Sequence, residues 1–196
     1  MPAGRRPPPR LQGAGRIRAM SRIRIIGGQW RSRLLPVAAV PGLRPTPDSV
    51  RERLFNWLGQ DLDGLHCLDL FAGTGVLGFE AASRGAASVT LVERDPRAFG
   101  RLREAVDLLP APQVRLVRGD ALEFAAHPPQ RFDVLFLDPP YGKGLLDRVR
   151  PHLSGLLTDD AVIYCEAEQP VAELGDFRAT REGRAGQVHY QLLERS

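Results

Sequence analysis

The sequence predicts an α/β fold: a mainly parallel, seven-stranded sheet with helices on both faces, an antiparallel C-terminal hairpin and a small N-terminal β-hairpin extension. Three observations carry this. From residue 65 onward, short apolar runs alternate with helix-like stretches, the rhythm of parallel strands joined by crossover helices. One of these runs leads straight into a glycine-rich turn and a helix. The last two strand-like segments are joined by a short polar turn, which makes the final strand antiparallel.

Size and composition bound the rest. With 196 residues, 43% of them hydrophobic, the chain can bury one sizeable core and is not disordered throughout. The longest uncharged, mostly apolar run, residues 34–43, is broken by Pro36 and Pro41. It falls well short of the roughly 20 residues a membrane-spanning helix needs, so no membrane partner is expected. Cys67 and Cys165 sit in no CxxC pair, and the N-terminus lacks an apolar secretory core. A cytoplasmic chain with reduced thiols is therefore expected. The four histidines, His66, His127, His152 and His189, show no metal-ligand spacing, and no metal is expected.

Charge is unevenly distributed. Residues 1–47 hold ten arginines and no acid, whereas 48–196 carry a net charge of −6. Like charge concentrated in one segment repels itself unless an anion neutralises it, and phosphate backbones are the commonest such partner. For Arg5 to Arg18 a solvated tail is the better account.

The elements follow in order. Residues 1–21, rich in Pro, Gly and Arg, read as a disordered basic extension. Residues 22–47 form a basic hairpin and loop. Ile23, Ile25 and Ile26, then Gly27-Gly28, then residues 30–35 suggest two short strands turning at the glycines. Thr46-Pro47 opens a helix, with Thr46 as N-cap, Pro47 at the first helical position and Gly59 as the stop. Residues 48–196 make the main domain. Its strand-like runs are 65–71, 88–92, 114–117, 132–137 and 161–165, and its helical stretches are 76–84, 96–109, 121–126 and 145–157. Residues 177–181 and 188–193 flank the turn at 182–186.

The run at 68–71 enters the turn Ala72-Gly73-Thr74-Gly75, with Gly78 completing GxGxxG. Glycines let a backbone turn tightly and approach a ligand, but helix–strand packing selects them too. Glu93 lies 20 residues beyond Gly73 at the end of the next strand, where a carboxylate accepts ribose hydroxyls. Asp69 just before the turn would repel a pyrophosphate and suits a cationic amino group, which favours S-adenosylmethionine over a dinucleotide. Asp120 ends the third strand. It can accept from an adenine amino group, cap the following helix, or do both.

The most informative stretch is Leu137-Asp138-Pro139-Pro140-Tyr141, an apolar strand ending in a carboxylate, two prolines and a free aromatic. Ligands of open α/β sheets bind at such carboxyl ends. An exocyclic base amine is a poor nucleophile, because its lone pair is delocalised into the ring. Two acceptors on its protons, the Asp138 carboxylate and the Pro139 carbonyl, would free that lone pair, and Tyr141 can stack on the base.

Together these motifs resemble class I S-adenosylmethionine-dependent methyltransferases, a Rossmann-like fold, of the kind that methylates amino groups. More narrowly, the chain is similar to the RsmD-like family that methylates a guanine N2 of small-subunit (16S) ribosomal RNA. That resemblance rests on residues 24–31 (RIIGGQWR), 44–48 (RPTPD), 50–52, 54–58, 68–75, 77–78, 136–141 and 185–190. It implies that Asp69, Phe71, Gly73 and Gly75 line the methionine side of the cofactor, that Glu93 holds the ribose, and that Asp120 and Ala121 hold the adenine. It implies Asp138, Pro139 and Tyr141 as the catalytic set, with Thr46 at the cofactor entrance. Arg22, Arg24, Trp30, Arg31, Arg33, Arg44 and Arg51 are the implied RNA contacts, Trp30 being equally suited to core packing. Ser32 and Leu35 depart from the family pattern. Ribosomal RNA, free or in a 30S particle, is the expected partner of a monomer. The alternatives are an adenine-N6 or other amino-directed DNA or RNA methyltransferase using the same site, a dinucleotide-dependent oxidoreductase, and a non-catalytic RNA-binding module.

Overall fold

The structure is a computed structural model that describes residues 22–38, 40 and 45–196. The proposed basic extension, residues 1–21, and Arg44 lie outside the described residues.

The chain opens with a two-stranded antiparallel ribbon, β1 (Arg22–Arg24) and β2 (Leu34–Pro36), in which Ile23 pairs with Leu35. The expected turn at Gly27-Gly28 is instead part of a longer connection, residues 25–33. Gly28 has φ +70, and a Cβ there would collide with the Ser83 backbone. Ser83 Oγ donates to the Gly27 carbonyl at 2.6 Å, and the Gln29 N–H donates to the Ser83 carbonyl at 2.7 Å. The glycines permit close docking onto a helix end rather than a hairpin reversal.

Helix α1 (Asp48–Leu58) follows, ending at Gly59 with φ +99. Pro47, not Thr46, occupies its cap position, and no side chain caps the helix, because the Thr46 hydroxyl is directed elsewhere. The chain then runs β3 (His66–Asp69), α2 (Val76–Ser83), β4 (Ser88–Glu93), α3 (Pro96–Leu108), β5 (Val114–Arg118), α4 (Ala121–Ala126) and β6 (Phe132–Leu137). It continues with α5 (Leu145–Val149), a 3-10 turn (Arg150–His152), α6 (Leu153–Leu156), β7 (Leu157–Ala167), β8 (Glu173–Leu174), β9 (Phe177–Ala185) and β10 (Val188–Arg195). The single helix expected over 145–157 breaks at Pro151, which has no N–H to bond back to Asp147.

The sheet order is β5-β4-β3-β6-β7-β10-β9-β8. β3 to β7 are parallel to their neighbours in this set, and β10 is antiparallel to both β7 and β9. The sheet has eight strands rather than seven because the two-residue β8 adds a pair to β9. The progression reverses between β3 and β6, and the crevice outside the carboxyl ends of those two strands is the place such a sheet offers a ligand.

Strand alternation divides the core. Cys67, Val134, Phe136, Tyr164 and Leu192 face the ribbon, α1, α2 and α3, where Trp30, Leu54, Phe55, Phe79 and Leu102 pack. Leu68, Leu135, Ile163 and Cys165 face α4, α5 and α6. No described helix is long and apolar enough to cross a membrane.

Candidate active site

Three carboxylates meet at the carboxyl rim of adjacent parallel strands. Asp69 closes β3, Asp138 follows β6, and Glu166 lies one residue before the end of β7. Asp69 is level with Phe136, and Phe136 with Tyr164. The two-residue period therefore puts Asp138 and Glu166, two positions further on, on the same face as Asp69. None of the three forms an ion pair among the described residues.

Burial sets their acidity. Asp69 is 3% exposed and accepts one hydrogen bond, from Gly78 N–H at 3.3 Å. Burial pushes its carboxyl up to about 7, opposed by that hydrogen bond and reinforced by the charges of Glu93 and Glu166. Asp138 is held well above the ordinary carboxylate range by burial, then by Glu166 and Asp69. Glu166 is raised by burial, and two hydroxyl donors work against this: Thr46 Oγ1 at 2.8 Å and Tyr164 OH at 2.9 Å. A low-dielectric rim of acids with no cation among the described residues favours a positively charged group placed among them. The fit to S-adenosylmethionine rests on this, because both its amino group and its sulfonium are cationic.

The glycine turn is shaped for close approach. Gly73 (φ +53) and Gly75 (φ +74) are left-handed, and a Cβ on Gly75 would collide with Leu102 of α3. Gly78 serves helix–strand packing, since a Cβ there would meet Leu91. Glu93 braces the turn, accepting from Gly73 N–H at 2.8 Å and Asp95 N–H at 2.7 Å. Each of its oxygens keeps a further lone pair for a ligand. Asp120 caps α4 with one oxygen, taking the Leu122 and Glu123 N–H groups at 2.9 and 3.3 Å. Its other oxygen takes no bond from that helix. Ala121 is buried beside it, and Phe71 is half-buried against the second face of the core.

Beyond β6, Pro139 is buried and Tyr141 is 42% exposed. Burial and the charges of Asp138 and Glu166 push the Tyr141 phenol up, so it stays protonated at neutral pH. Gly142 N–H donates to Glu168 at 3.1 Å, tying this turn to the segment after β7. The structure therefore gathers Asp69, Asp138 and Tyr141 at one rim, with Glu93 ending the next strand outward and Asp120 two residues past the end of the strand beyond it.

Two sequence expectations are corrected. Arg51 is fully buried. It donates to Glu80 at 2.5 Å, to the Arg24 carbonyl at 2.9 Å and to the Thr46 carbonyl at 3.2 Å, and it pairs with Asp48. A guanidinium so enclosed braces the ribbon against α1 and α2 and has no surface left for RNA. Trp30 is 3% exposed and packs in the core, so it offers no stacking face. Arg22, Arg24, Arg31 and Arg33 are exposed. Thr46 is buried, with its hydroxyl spent on Glu166.

Glu80 and Glu166 are two buried acids that no sequence motif singled out. Glu80, fully buried, accepts from Ile26 N–H, Gly27 N–H and Arg51. Its signal was an acid alone in the small, apolar helix 76–83. Glu166 obeys the rule that singled out Asp69 and Asp138, an acid at the carboxyl end of a parallel strand.

The family described as Conserved hypothetical protein 95 matches residues 23–194. Ribosomal RNA small subunit methyltransferase D of Escherichia coli K12 is 44% identical over 195 residues, covering 95% of this chain and 94% of its own. This chain belongs to the RsmD-like methyltransferase family. The counterpart of the same name in Haemophilus influenzae is 39% identical, covering 90% of this chain and 95% of its own. Among solved structures, yhhF of Escherichia coli is 44% identical with a TM-score of 0.81, covering 90% of this methyltransferase and 99% of that chain. An RNA methyltransferase from Salinibacter ruber, solved with S-adenosyl-L-homocysteine, is 21% identical with a TM-score of 0.61, covering 77% of this chain and 93% of its own, and shares the fold.

Proposed function

We propose that this protein methylates the exocyclic N2 amine of a guanine in small-subunit ribosomal RNA, using S-adenosylmethionine. The observation that carries this reading is Asp138-Pro139 at the carboxyl end of β6, on the same face and rim as the buried Asp69. The names of the relatives supply the RNA class. The N2 position comes from the family resemblance and from the chemistry of two acceptors on one amine.

The cofactor, when bound, supplies a methyl group made electrophilic by its sulfonium. The protein does the rest. Asp69 answers the cationic amino group, Glu93 and Asp120 accept from the ribose and adenine, and the left-handed Gly73 and Gly75 keep side chains out of the way. The Asp138 carboxylate and the Pro139 carbonyl accept the two amine protons and return the lone pair to nitrogen. As positive charge develops there, Asp138 stabilises it, and its raised proton affinity suits it to take the proton that the methylated amine sheds. Tyr141, half in solvent, stacks on the base, worth about 1–3 kcal/mol. The exposed Arg22, Arg24, Arg31 and Arg33 meet phosphates.

The test is incubation of the purified protein with labelled S-adenosylmethionine and unmethylated 30S particles, naked 16S RNA or DNA, followed by nucleoside analysis. N2-methylguanosine from a single RNA site is expected. N6-methyladenosine, or label in DNA alone, would overturn the reading.

A further inference from the structure

Glu166 has no place in the methyl-transfer scheme above, yet it stands at the same rim. It lies on the strand adjacent to Asp138: Leu137 is level with Cys165, so Asp138 and Glu166 are the next residues along their strands, on one face. Neighbouring strands are about 4.8 Å apart, close enough for two side-chain carboxyls to converge on one base edge. The Glu166 side chain is held firmly. Thr46 Oγ1 and Tyr164 OH both donate to Oε1, at 2.8 and 2.9 Å. Oε2 accepts no hydrogen bond from the protein among the described residues, although the residue is only 5% exposed. Oε2 is not sealed off from solvent, so it is an acceptor open to a donor that a ligand brings to the rim.

The base edge supplies such a donor in one case only. Guanine presents the N1–H beside its N2 amine, two donors side by side. Adenine and cytosine present a ring nitrogen acceptor beside their amine. An acceptor next to Asp138 would complete the guanine pattern and face the others lone pair to lone pair. We infer that Glu166 is a specificity-determining residue: its Oε2 accepts the N1–H of the target guanine while Asp138 and Pro139 hold the N2 amine. Thr46 and Tyr164 are then positioning residues that fix Oε1 and turn Oε2 toward the base. Like charges on neighbouring strands also become tolerable, because each carboxyl receives its own N–H. The inference rests on the guanine-N2 reading and adds the means by which the amine is chosen.

The experiment compares guanine with 2-aminopurine at the mapped target of a reconstituted particle. 2-Aminopurine keeps the N2 amine and replaces the N1–H with an acceptor. Wild-type protein is expected to methylate it at least tenfold more slowly than guanine. Glu166→Gln keeps the shape, can take both hydroxyl donors on its carbonyl, and offers an amide N–H to the base. It should lose roughly 10- to 100-fold in kcat/KM on guanine and narrow or invert the guanine to 2-aminopurine ratio, with S-adenosylhomocysteine affinity unchanged. An equal loss on both bases, or no loss, would overturn the inference while leaving the guanine-N2 reading standing. So would a wild-type protein indifferent to the swap, which requires no variant at all. Absence of N2-methylguanosine from wild-type reactions would instead defeat the underlying reading.

Discussion

Two groups of buried charge lie on the same side of the sheet and differ in one respect. Around Glu80, every charge is answered: Arg51 and Arg84 pair with it, and the Ile26 and Gly27 amides donate to it. At the rim, Asp69, Asp138 and Glu166 have no cation among the described residues, and the charge of Glu166 raises the proton affinity of both aspartates. A closed network fixes geometry, here the ribbon on α1 and α2. An open one stores an unmet demand for positive charge and donors, which a ligand can satisfy.

Breaking the open network should cost activity, and breaking the closed one should cost stability. The largest expected effect is Asp138→Ala, a loss of at least ~10³-fold in turnover with S-adenosylhomocysteine binding retained, measured by single-turnover methylation beside calorimetric titration. Near-normal turnover would mean that the amine is not held there. Next is Glu80→Ala, which leaves Arg51 without its buried partner, the exposed Asp48 alone remaining, and should destabilise the fold by about 3–5 kcal/mol in urea unfolding. A loss under 1 kcal/mol would show that the two regions are not distinguished in this way.

A smaller effect is pH dependence. Asp69 has a pKa of about 7 in the folded protein against an ordinary value of 3.8. The native state therefore binds an extra proton between those values. The stability this contributes is complete below about pH 4 and is lost as pH rises through about 7. The ligand-free protein should thus melt lower at pH 8 than at pH 6. The protective shift from S-adenosylmethionine should be larger at pH 8, because its cationic amino group favours ionised Asp69. Asp69→Asn should flatten both trends, and unchanged trends would remove Asp69 from the cofactor site. The smallest effect sharpens the role of the surface. Arg31→Ala with Arg33→Ala should leave Tm unchanged and weaken RNA binding, lowering the salt slope by about one per arginine in binding titrations.

Much of this site was legible in the chain. β6 and α4 begin and end at the expected residues, because an apolar run bounded by turn residues and a capping Asp120 are local signals. Asp69, Glu93 and Asp138 could be found because strand ends are marked by where apolar runs stop. What stayed hidden was non-local. Nothing near Arg51 in sequence tells that Glu80 will accept from it, 29 positions away. Nothing near Thr46 tells that its hydroxyl will reach Glu166 across 120 positions instead of capping α1. Trp30 has the same local context whether its ring meets RNA or the core, and only docking of the Gly27-Gly28 backbone on Ser83 buries it.

The sequence by itself determined the alternation of strands and helices, the glycine turn and the chemistry of the Asp-Pro-Pro-Tyr stretch, since each depends on neighbours within a few positions. Tertiary structure alone decided which charges are answered and which are left open. Burial and pairing are set by the side chains that packing brings together from distant parts of the chain. A carboxylate's proton affinity follows from that company, whatever its place in the sequence.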